Sequence, residues 1–329
     1  MQLCQYGTSR LCRGGRAALD QHDIEEDMHS IRLAAAPVSW GVTEVAEGAP
    51  RVPWQQVMDE IAAAGYLATE LGPYGYYPTD AATLRTALDA RGLILTSAFV
   101  PLPLADPAAF GPATEEAWQV ARLLADLGAA YIVLSDAGDA LRRAHAGQIA
   151  PDQVFGMDAA AWNRAARRVE EFARRLNDLG LQTVFHHHAG TYVETPAELR
   201  ALCERTSAEL VGICLDTGHY LYGGGEPRAA LATYRDRVRY MHLKDVDAGR
   251  LEQARTEGWD FVTGVERGVF TALGAGAADI EGCLADLRAL GYNGWAVVEQ
   301  DIIGDHDAAG RTPFEGVSAA RSFLRSLGL

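Results

Sequence analysis

Eight short apolar segments, spaced along the whole chain, constrain the fold more than any other feature of the sequence. They are rich in Val, Ile and Leu at successive positions, which is typical of parallel β-strands buried on both faces. The predicted strands are residues 32–38, 67–71, 93–99, 130–135, 182–186, 211–216, 239–243 and 295–299. Because parallel strands need long crossover connections, we expect helices between them.

Helical patterns occupy the intervals between these segments. The predicted helices are residues 54–64, 81–90, 115–127, 157–179, 280–290 and 314–327. Most of them are followed within two residues by a glycine, which adopts the left-handed conformation that closes a helix. Thr195-Pro-Ala-Glu198 has the pattern of a capping box and predicts one more helix, to about residue 206.

Strands that alternate with helices, without a break in composition, predict a single α/β domain. We expect a (β/α)8 TIM barrel over residues 30–329. The alternative is an open doubly wound sheet, which would need a glycine-rich phosphate loop after the first strand; Pro37-Val-Ser-Trp40-Gly is not one. Residues 1–29 lack a hydrophobic period and the apolar core of a signal peptide. We expect them to be a disordered leader or the product of a misassigned start.

The charge balance excludes some classes of partner. Lys and Arg number 29 against 44 Asp and Glu, for a formal net charge of −15. Such an acidic chain is a poor partner for nucleic acids or anionic membranes, although the charge also simply favours solubility. No apolar run approaches the roughly 18 residues that a membrane span needs. Five cysteines without a CxxC pair predict a reducing, cytoplasmic compartment.

Four of the predicted strands end on residues that commonly bind metals. These residues are His186, Asp216, His242 and Glu299. The carboxyl ends of barrel strands meet at one face, so we expect the four side chains to lie together. Each alone could be a satisfied polar group, a turn former or the edge of a strand. Together, imidazoles and carboxylates without a thiolate predict a site for Mn²⁺, Co²⁺, Fe²⁺, Zn²⁺ or Mg²⁺.

Other residues near the strand ends are candidates for catalysis. Glu70 is predicted to be a base or a clamp for a substrate hydroxyl, with a surface position as the alternative. Lys244 is predicted to act as an acid or base, or to neutralise an oxyanion, which depends on how far burial shifts its pKa. His219 is predicted to orient Asp216 or to contact the substrate.

Three further residues are candidates for substrate binding. His188 shares a strand face with His186 because side chains alternate, whereas His187 is expected to point away. Trp40 would form the floor of a polyol site or belong to the core. Arg267 lies in the long connection 244–279, whose aromatic residues predict a lid or a contact in a homo-oligomer.

The ligand set limits the chemistry. A metal chelated by a carbonyl and the neighbouring hydroxyl acidifies the C–H bond between them and stabilises an enediolate. That step underlies aldose–ketose isomerisation, epimerisation next to a ketone and β-elimination of water. The residues alone do not separate these reactions, since all begin with the same proton abstraction.

Several motifs resemble those of the xylose-isomerase-like TIM-barrel superfamily of sugar isomerases, epimerases and dehydratases. Within it, the chain is similar to the inosose (2-keto-myo-inositol) dehydratase family over about residues 31–325. The stretches that carry the resemblance are Ala36-Pro-Val-Ser-Trp40, Ala68-Thr-Glu-Leu-Gly72, His186-His-His-Ala-Gly-Thr191, Leu215-Asp-Thr-Gly-His219, His242-Leu-Lys-Asp-Val246, Arg267-Gly-Val-Phe-Thr271 and Gly294-Trp-Ala-Val-Val-Glu299.

The resemblance implies a lyase that uses Mn²⁺ or Co²⁺ to dehydrate a small polyol, a keto-inositol or a related keto-sugar. It also implies that His186 stands where most of the superfamily has a glutamate ligand. Gly274-Ala-Gly276 departs from the Gly-Asp-Gly turn of the dehydratases, and the first strand end lacks their Asn-Asp pair. The alternatives are a sugar (phosphate) isomerase or epimerase, a 3-keto-glycoside eliminase, and a non-catalytic sugar-binding barrel.

Overall fold

A computed structural model describes residues 31–43, 52–149 and 156–329, and the leader predicted over 1–29 lies outside them. A parallel sheet is the centre of the fold. Its strands are β1 (Arg32–Ala35), β2 (Ala68–Thr69), β3 (Ile94–Leu95), β4 (Phe99–Leu102), β5 (Tyr131–Asp136), β6 (Gln182–His186), β7 (Val211–Asp216), β8 (Val238–Leu243) and β11 (Trp295–Val298). Their spatial order is β3-β2-β1-β11-β8-β7-β6-β5-β4.

The two ends of this order belong to one stretch of chain, so the sheet closes. β3 pairs with β2, and β4 pairs with β5. Only residues 96–98 separate β3 from β4 along the chain. Within that break, the carbonyls of Thr96 and Ala98 accept hydrogen bonds from the amides of Tyr131 and Val133. The broken strand 94–102 therefore contacts both neighbours, and the predicted eight-stranded barrel is confirmed.

Helices cover the outside of the barrel and the carboxyl ends of its strands. They are α1 (Trp54–Ala64), α2 (Ala81–Asp89), α3 (Pro107–Leu127), α4 (Ala140–Ala144), α5 (Ala159–Asn177), α6 (Pro196–Cys203), α7 (Thr217–Tyr222), α8 (Pro227–Tyr234), α9 (Ala248–Glu257), α10 (Phe261–Glu266), α11 (Ile280–Ala289) and α12 (Pro313–Ser326). None of the helices in the described ranges is long and apolar enough to cross a bilayer.

Local sequence signals explain where these helices begin. The predicted capping box is present at α6, where the Thr195 and Glu198 side chains each bond to the other's backbone amide. Asp158 caps α5, whose apolar residues recur every three or four positions and are buried. Such a stripe fixes how the helix lies against the sheet, which in turn fixes the strand ends that form the site.

The structure adds helices that the sequence patterns did not predict, α4, α7 and α8, and it departs from the predicted elements as follows. The first strand stops at Ala35, not at residue 38, because Pro37 has no amide hydrogen and opens a 3-10 helix, Pro37–Trp40. The helix predicted to begin at residue 115 begins at Pro107, which Asp106 caps. The connection 244–279 is folded: α9 and α10 lie between two short antiparallel strands, β9 (Asp245–Val246) and β10 (Phe270–Thr271).

Candidate active site

The four predicted ligands lie together at the carboxyl end of the barrel. Nε2 of His186 is 3.3 Å from Oδ2 of Asp216, and Nδ1 of His242 is 3.7 Å from the same oxygen. Oε2 of Glu299 lies 3.3 Å from His242 Nδ1. All four residues are buried. The sequence therefore correctly predicted that these four strand ends converge.

The spacing of these atoms and the neutral state of His186 fit a divalent cation. Ligand atoms about 2.1 Å from a common ion would be separated by roughly 3.0–3.4 Å, close to the spacings present here. Burial lowers the pKa of His186, which keeps its ring neutral, as metal binding requires. Nδ1 of His242 is buried and has no hydrogen-bond partner among the described residues. An orphaned nitrogen beside two carboxylates is the arrangement that a metal ion would complete.

Asp216 serves two purposes through its two oxygens. Oδ1 accepts the amide of His219 at 2.7 Å and caps α7, whereas Oδ2 faces the histidines. Burial alone would raise the pKa of Asp216, but the charge of Lys244 holds it well below its usual range. The carboxylate is thus ionised and available on the cluster side while it holds the helix in place.

Lys244 is the cation at the centre of the acidic groups. Its Nζ lies 2.7 Å from Asp301, 3.0 Å from Nε2 of His219 and 3.1 Å from Glu299. Burial alone would lower the pKa of Lys244, but Asp301, Asp216 and Glu299 raise it above its usual range. A side chain at Gly218 would collide with the aliphatic stem of Lys244, which explains why glycine follows Asp216-Thr217.

His188 and His219 stack beside Lys244, with their ring centroids 3.8 Å apart. The amide of Ala189 donates to Nδ1 of His219, and Nε2 of the same ring lies 3.0 Å from Lys244 Nζ and 3.6 Å from Asp301 Oδ2. Burial lowers the pKa of His188 to about 3, so this ring is neutral. Burial also lowers the pKa of His219 well below its usual range, so this ring is not a second cation beside Lys244.

A cavity of about 420 Å³ opens onto these residues. Its polar lining residues are Glu70, His186, His242, Lys244, Glu299 and Asp301. Its lining also includes Arg143 and apolar residues such as Phe99, Phe261 and Ile303. Pockets of 300–1,000 Å³ that combine apolar walls with a few polar groups are typical of small-molecule sites.

The remaining predicted residues divide into two groups. Glu70 and His188 line the cavity. Trp40 and Arg267 are not among the described residues that line it. Trp40 is 2% exposed and donates to Glu60, so the alternative of a core tryptophan is the one that the structure supports. Arg267 lies over Trp259 and pairs with Glu257, with 53% of its side chain exposed, so its predicted contact with substrate needs correction.

His187 points away from the cavity, as predicted, but it is fully buried. Its Nε2 accepts the amide of Asp216 at 3.3 Å, and its ring packs on Tyr220. Sequence reasoning missed Asp301 and Arg143 as residues of the cavity. The available signal for Asp301 was its position two residues after Glu299, which places both side chains on the same side of an extended segment.

Residues 58–327 match the family model described as a xylose isomerase-like TIM barrel. This match covers most of the chain. The chain belongs to the xylose isomerase-like TIM barrel family. Family membership and the eight-stranded fold agree with what the sequence motifs predicted.

Curated relatives in this family are similar along nearly their full length. An inosose dehydratase from Geobacillus kaustophilus (strain HTA426) is 33% identical over 310 residues, which cover 92% of this chain and 97% of the relative. An inosose dehydratase from Lacticaseibacillus casei is 32% identical over 90% of this chain and 96% of the relative. The rhizopine catabolism protein MocC from Rhizobium meliloti is 34% identical over 83% and 82%. The predicted resemblance to inosose dehydratases is confirmed.

Superposition on solved structures supports the fold. An L-ribulose 3-epimerase superposes with a TM-score of 0.66 at 17% identity and covers 91% of this chain and 94% of its own. The probable 3-DHS dehydratase AsbF from Bacillus anthracis superposes with a TM-score of 0.65 at 14% identity, over 90% of this chain and 99% of its own.

Proposed function

We propose that this protein is a metal-dependent dehydratase that acts on a keto-inositol or a closely related keto-sugar. One observation carries the proposal. A cavity that joins a histidine–carboxylate cluster to a buried lysine occurs in a chain 33% identical to an inosose dehydratase over 97% of that enzyme. Elimination of water next to a ketone needs a Lewis acid, a base and a proton donor, and this cavity offers a candidate for each.

His186, Asp216, His242 and Glu299 would hold the metal. A bound divalent ion, Mn²⁺ or Co²⁺ in preference to Zn²⁺, Fe²⁺ or Mg²⁺, would supply Lewis acidity to the ketone of the substrate. The chain itself supplies mixed nitrogen and oxygen donors without a thiolate among these four, a set that suits such ions.

Lys244 and Asp301 form the acid–base pair of the proposal. Burial raises the pKa of Asp301 to about 6, a value suited to proton exchange near neutral pH. Asp301 would take the proton from the carbon next to the ketone. Lys244, as an ammonium, would donate a proton to the β-hydroxyl as its C–O bond breaks, so that water leaves. The two groups are 2.7 Å apart, so the proton on Asp301 can restore Lys244 and the pair ends each cycle unchanged.

Other residues that line the cavity would set which polyol is accepted. Arg143 offers donors to ring hydroxyls, and Phe99 and Phe261 offer apolar surfaces to the C–H face of a ring. His188 contacts both aromatic rings, with centroids 5.9 Å and 5.2 Å away. We assign these residues to substrate binding and not to the transfer of protons.

The test is a product assay with the Mn²⁺- or Co²⁺-loaded protein. It is incubated with 2-keto-myo-inositol and, separately, with a panel of ketohexoses, and each product is weighed by mass spectrometry. Loss of one water from 2-keto-myo-inositol is the expected result. A product of unchanged mass but altered chromatography would identify an isomerase or epimerase instead. Unaltered substrates throughout, with sugar binding retained, would identify a non-catalytic sugar-binding barrel.

A further inference from the structure

Glu70 lies between His242 and a group of buried hydroxyls. Its Oε1 atom is 3.1 Å from Nε2 of His242 and accepts a hydrogen bond from Ser97 at 2.7 Å. The Glu70 side chain is only 3% exposed. A carboxylate buried this deeply is unfavourable unless its hydrogen bonds are satisfied, so both contacts contribute to holding it.

A chain of hydroxyls continues from Ser97 into the interior of the barrel. The Tyr240 hydroxyl lies 2.9 Å from Ser97 Oγ, to which it can donate, and 2.8 Å from Thr96 Oγ1. Thr96 in turn donates to the carbonyl of Thr69. We call Ser97, Tyr240 and Thr96 the hydroxyl ladder.

The hydroxyl ladder is unusual for its location. The interior of a TIM barrel is normally filled by layers of branched apolar side chains, and Val133, Val184 and Val297 fill it here. Three buried hydroxyls add no apolar packing, and each costs stability if it loses its partner. Their chain ends on Glu70, which indicates that they hold this carboxylate.

The two nitrogens of His242 face different surroundings. Nε2 faces Glu70, whereas Nδ1 has no hydrogen-bond partner among the described residues and lies 3.3 Å from Glu299 Oε2. An acceptor at Nε2 fixes the proton there and leaves the lone pair on Nδ1. His186 lacks such an acceptor in the described part of the chain, because its Nδ1 has no partner.

We propose that Glu70, held by the hydroxyl ladder, is a positioning residue that fixes the ring and tautomer of His242, so that Nδ1 is the metal-binding atom. This assigns Glu70 to His242 instead of to the substrate proton. The inference rests on the metal site of the proposed function but not on its substrate. Partners of metal-binding histidines typically change metal affinity by 10–100-fold when they are replaced.

The test measures the Kd for Mn²⁺ by electron paramagnetic resonance in the wild type and three variants. Glu70→Gln should weaken Mn²⁺ binding by roughly 10–100-fold, and Ser97→Ala should weaken it several-fold in the same direction. The matched control is Thr183→Val, which removes a buried hydroxyl without a hydrogen-bond partner among the described residues; it should bind Mn²⁺ like the wild type. Circular dichroism shows whether each variant is folded. If Glu70→Gln does not fold, the Mn²⁺ affinity of Ser97→Ala tests the inference.

A spectroscopic readout separates this role from general loss of structure. In ¹⁵N-histidine-labelled protein loaded with Zn²⁺, long-range ¹H–¹⁵N spectra should show His242 coordinated through Nδ1 and protonated at Nε2. Coordination through Nε2, or Mn²⁺ affinity in Ser97→Ala equal to that of Thr183→Val, would overturn the inference. If the wild-type protein bound no metal, both the role of Glu70 and the metal site would be overturned. If it bound metal but dehydrated no substrate, only the proposed substrate would be overturned.

Discussion

The ammonium of Lys244 lies 2.7 Å from Oδ1 of Asp301, and both side chains are buried and line the cavity. Each charge stabilises the other where bulk water cannot. If the pair exchanges protons with the substrate, Asp301→Asn should lower kcat on 2-keto-myo-inositol by roughly 10²–10⁴-fold. Bound metal should stay near the wild-type level, because Asp301 is not assigned to the ligand set.

The measurements are steady-state kinetics and metal content by mass spectrometry of the elements. Asp305→Asn is the matched control, since it makes the same change in the same segment at a carboxylate that is 91% exposed. The assignment of Asp301 would be wrong if Asp301→Asn kept the kcat of this control.

Replacement of Arg143 and of Arg267 should affect substrate binding differently. Arg143 lines the cavity, whereas Arg267 is exposed and pairs with Glu257. Arg143→Met should raise KM about tenfold with a smaller change in kcat, because it removes hydrogen bonds that bind substrate and transition state alike. Arg267→Met should leave both constants unchanged. An increase in KM for Arg267→Met alone would show that the chain between 244 and 279 approaches the substrate differently.

The buried carboxyl group of Glu194 should make the free energy of unfolding depend on pH. Its carboxylate is buried and accepts the amides of Gly147 and Gly190, and burial raises its pKa to about 7 from a usual value near 4.5. The folded state therefore binds more protons than the unfolded state between these values, so stability falls as pH rises through this window. The whole shift corresponds to at most about 3 kcal/mol.

Chemical denaturation of the wild type and Glu194→Gln at pH 5, 6, 7 and 8 measures this effect. The variant lacks the titrating group, so the free energy of unfolding of the wild type should fall relative to the variant as the pH rises. Parallel curves for the two proteins would show that Glu194 does not titrate in this window.

Gly276 lies where a side chain does not fit. The Asp245 carboxylate accepts the amides of Val246, Gly274, Gly276 and Ala278 at 2.9–3.0 Å, and a Cβ at Gly276 would collide with it. Gly276→Ala should destabilise the protein by about 1–3 kcal/mol. Ala275→Ser adds one atom at the neighbouring exposed position and should cost much less in urea denaturation. Equal free energies of unfolding for Gly276→Ala and Ala275→Ser would contradict the close packing of Gly276 against Asp245.

The sequence allowed the barrel and the convergence of four polar strand ends to be predicted because both depend on local, repeated signals. Apolar runs place the strands, and parallel strands of a closed barrel bring their carboxyl ends to one face. His186, Asp216, His242 and Glu299 follow directly from that rule. Asp245 follows Lys244 in the same motif, but its carboxylate binds backbone amides. A sequence pattern does not distinguish such a structural carboxylate from a catalytic one.

Other parts of the site depend on long-range packing that has no local signal. Arg143 and Arg267 both lie in long connections, and the sequence does not specify which connection turns over the cavity. Asp301 lies in an irregular segment beyond the last strand, where periodicity is lost. The partners of Glu70 come from the break between β3 and β4 and from the interior of β8, so they meet only once the barrel has closed.

The most direct test of the account follows 2-keto-myo-inositol in D₂O by NMR with Mn²⁺-loaded protein, after removal of the metal for the spectra. We predict that the wild type forms a product that has lost one water, and that Glu299→Gln neither retains the metal nor forms this product. Unchanged 2-keto-myo-inositol with fully metal-loaded wild type, or a deuterated inosose of unaltered oxygen content, would contradict the assignment as a dehydratase.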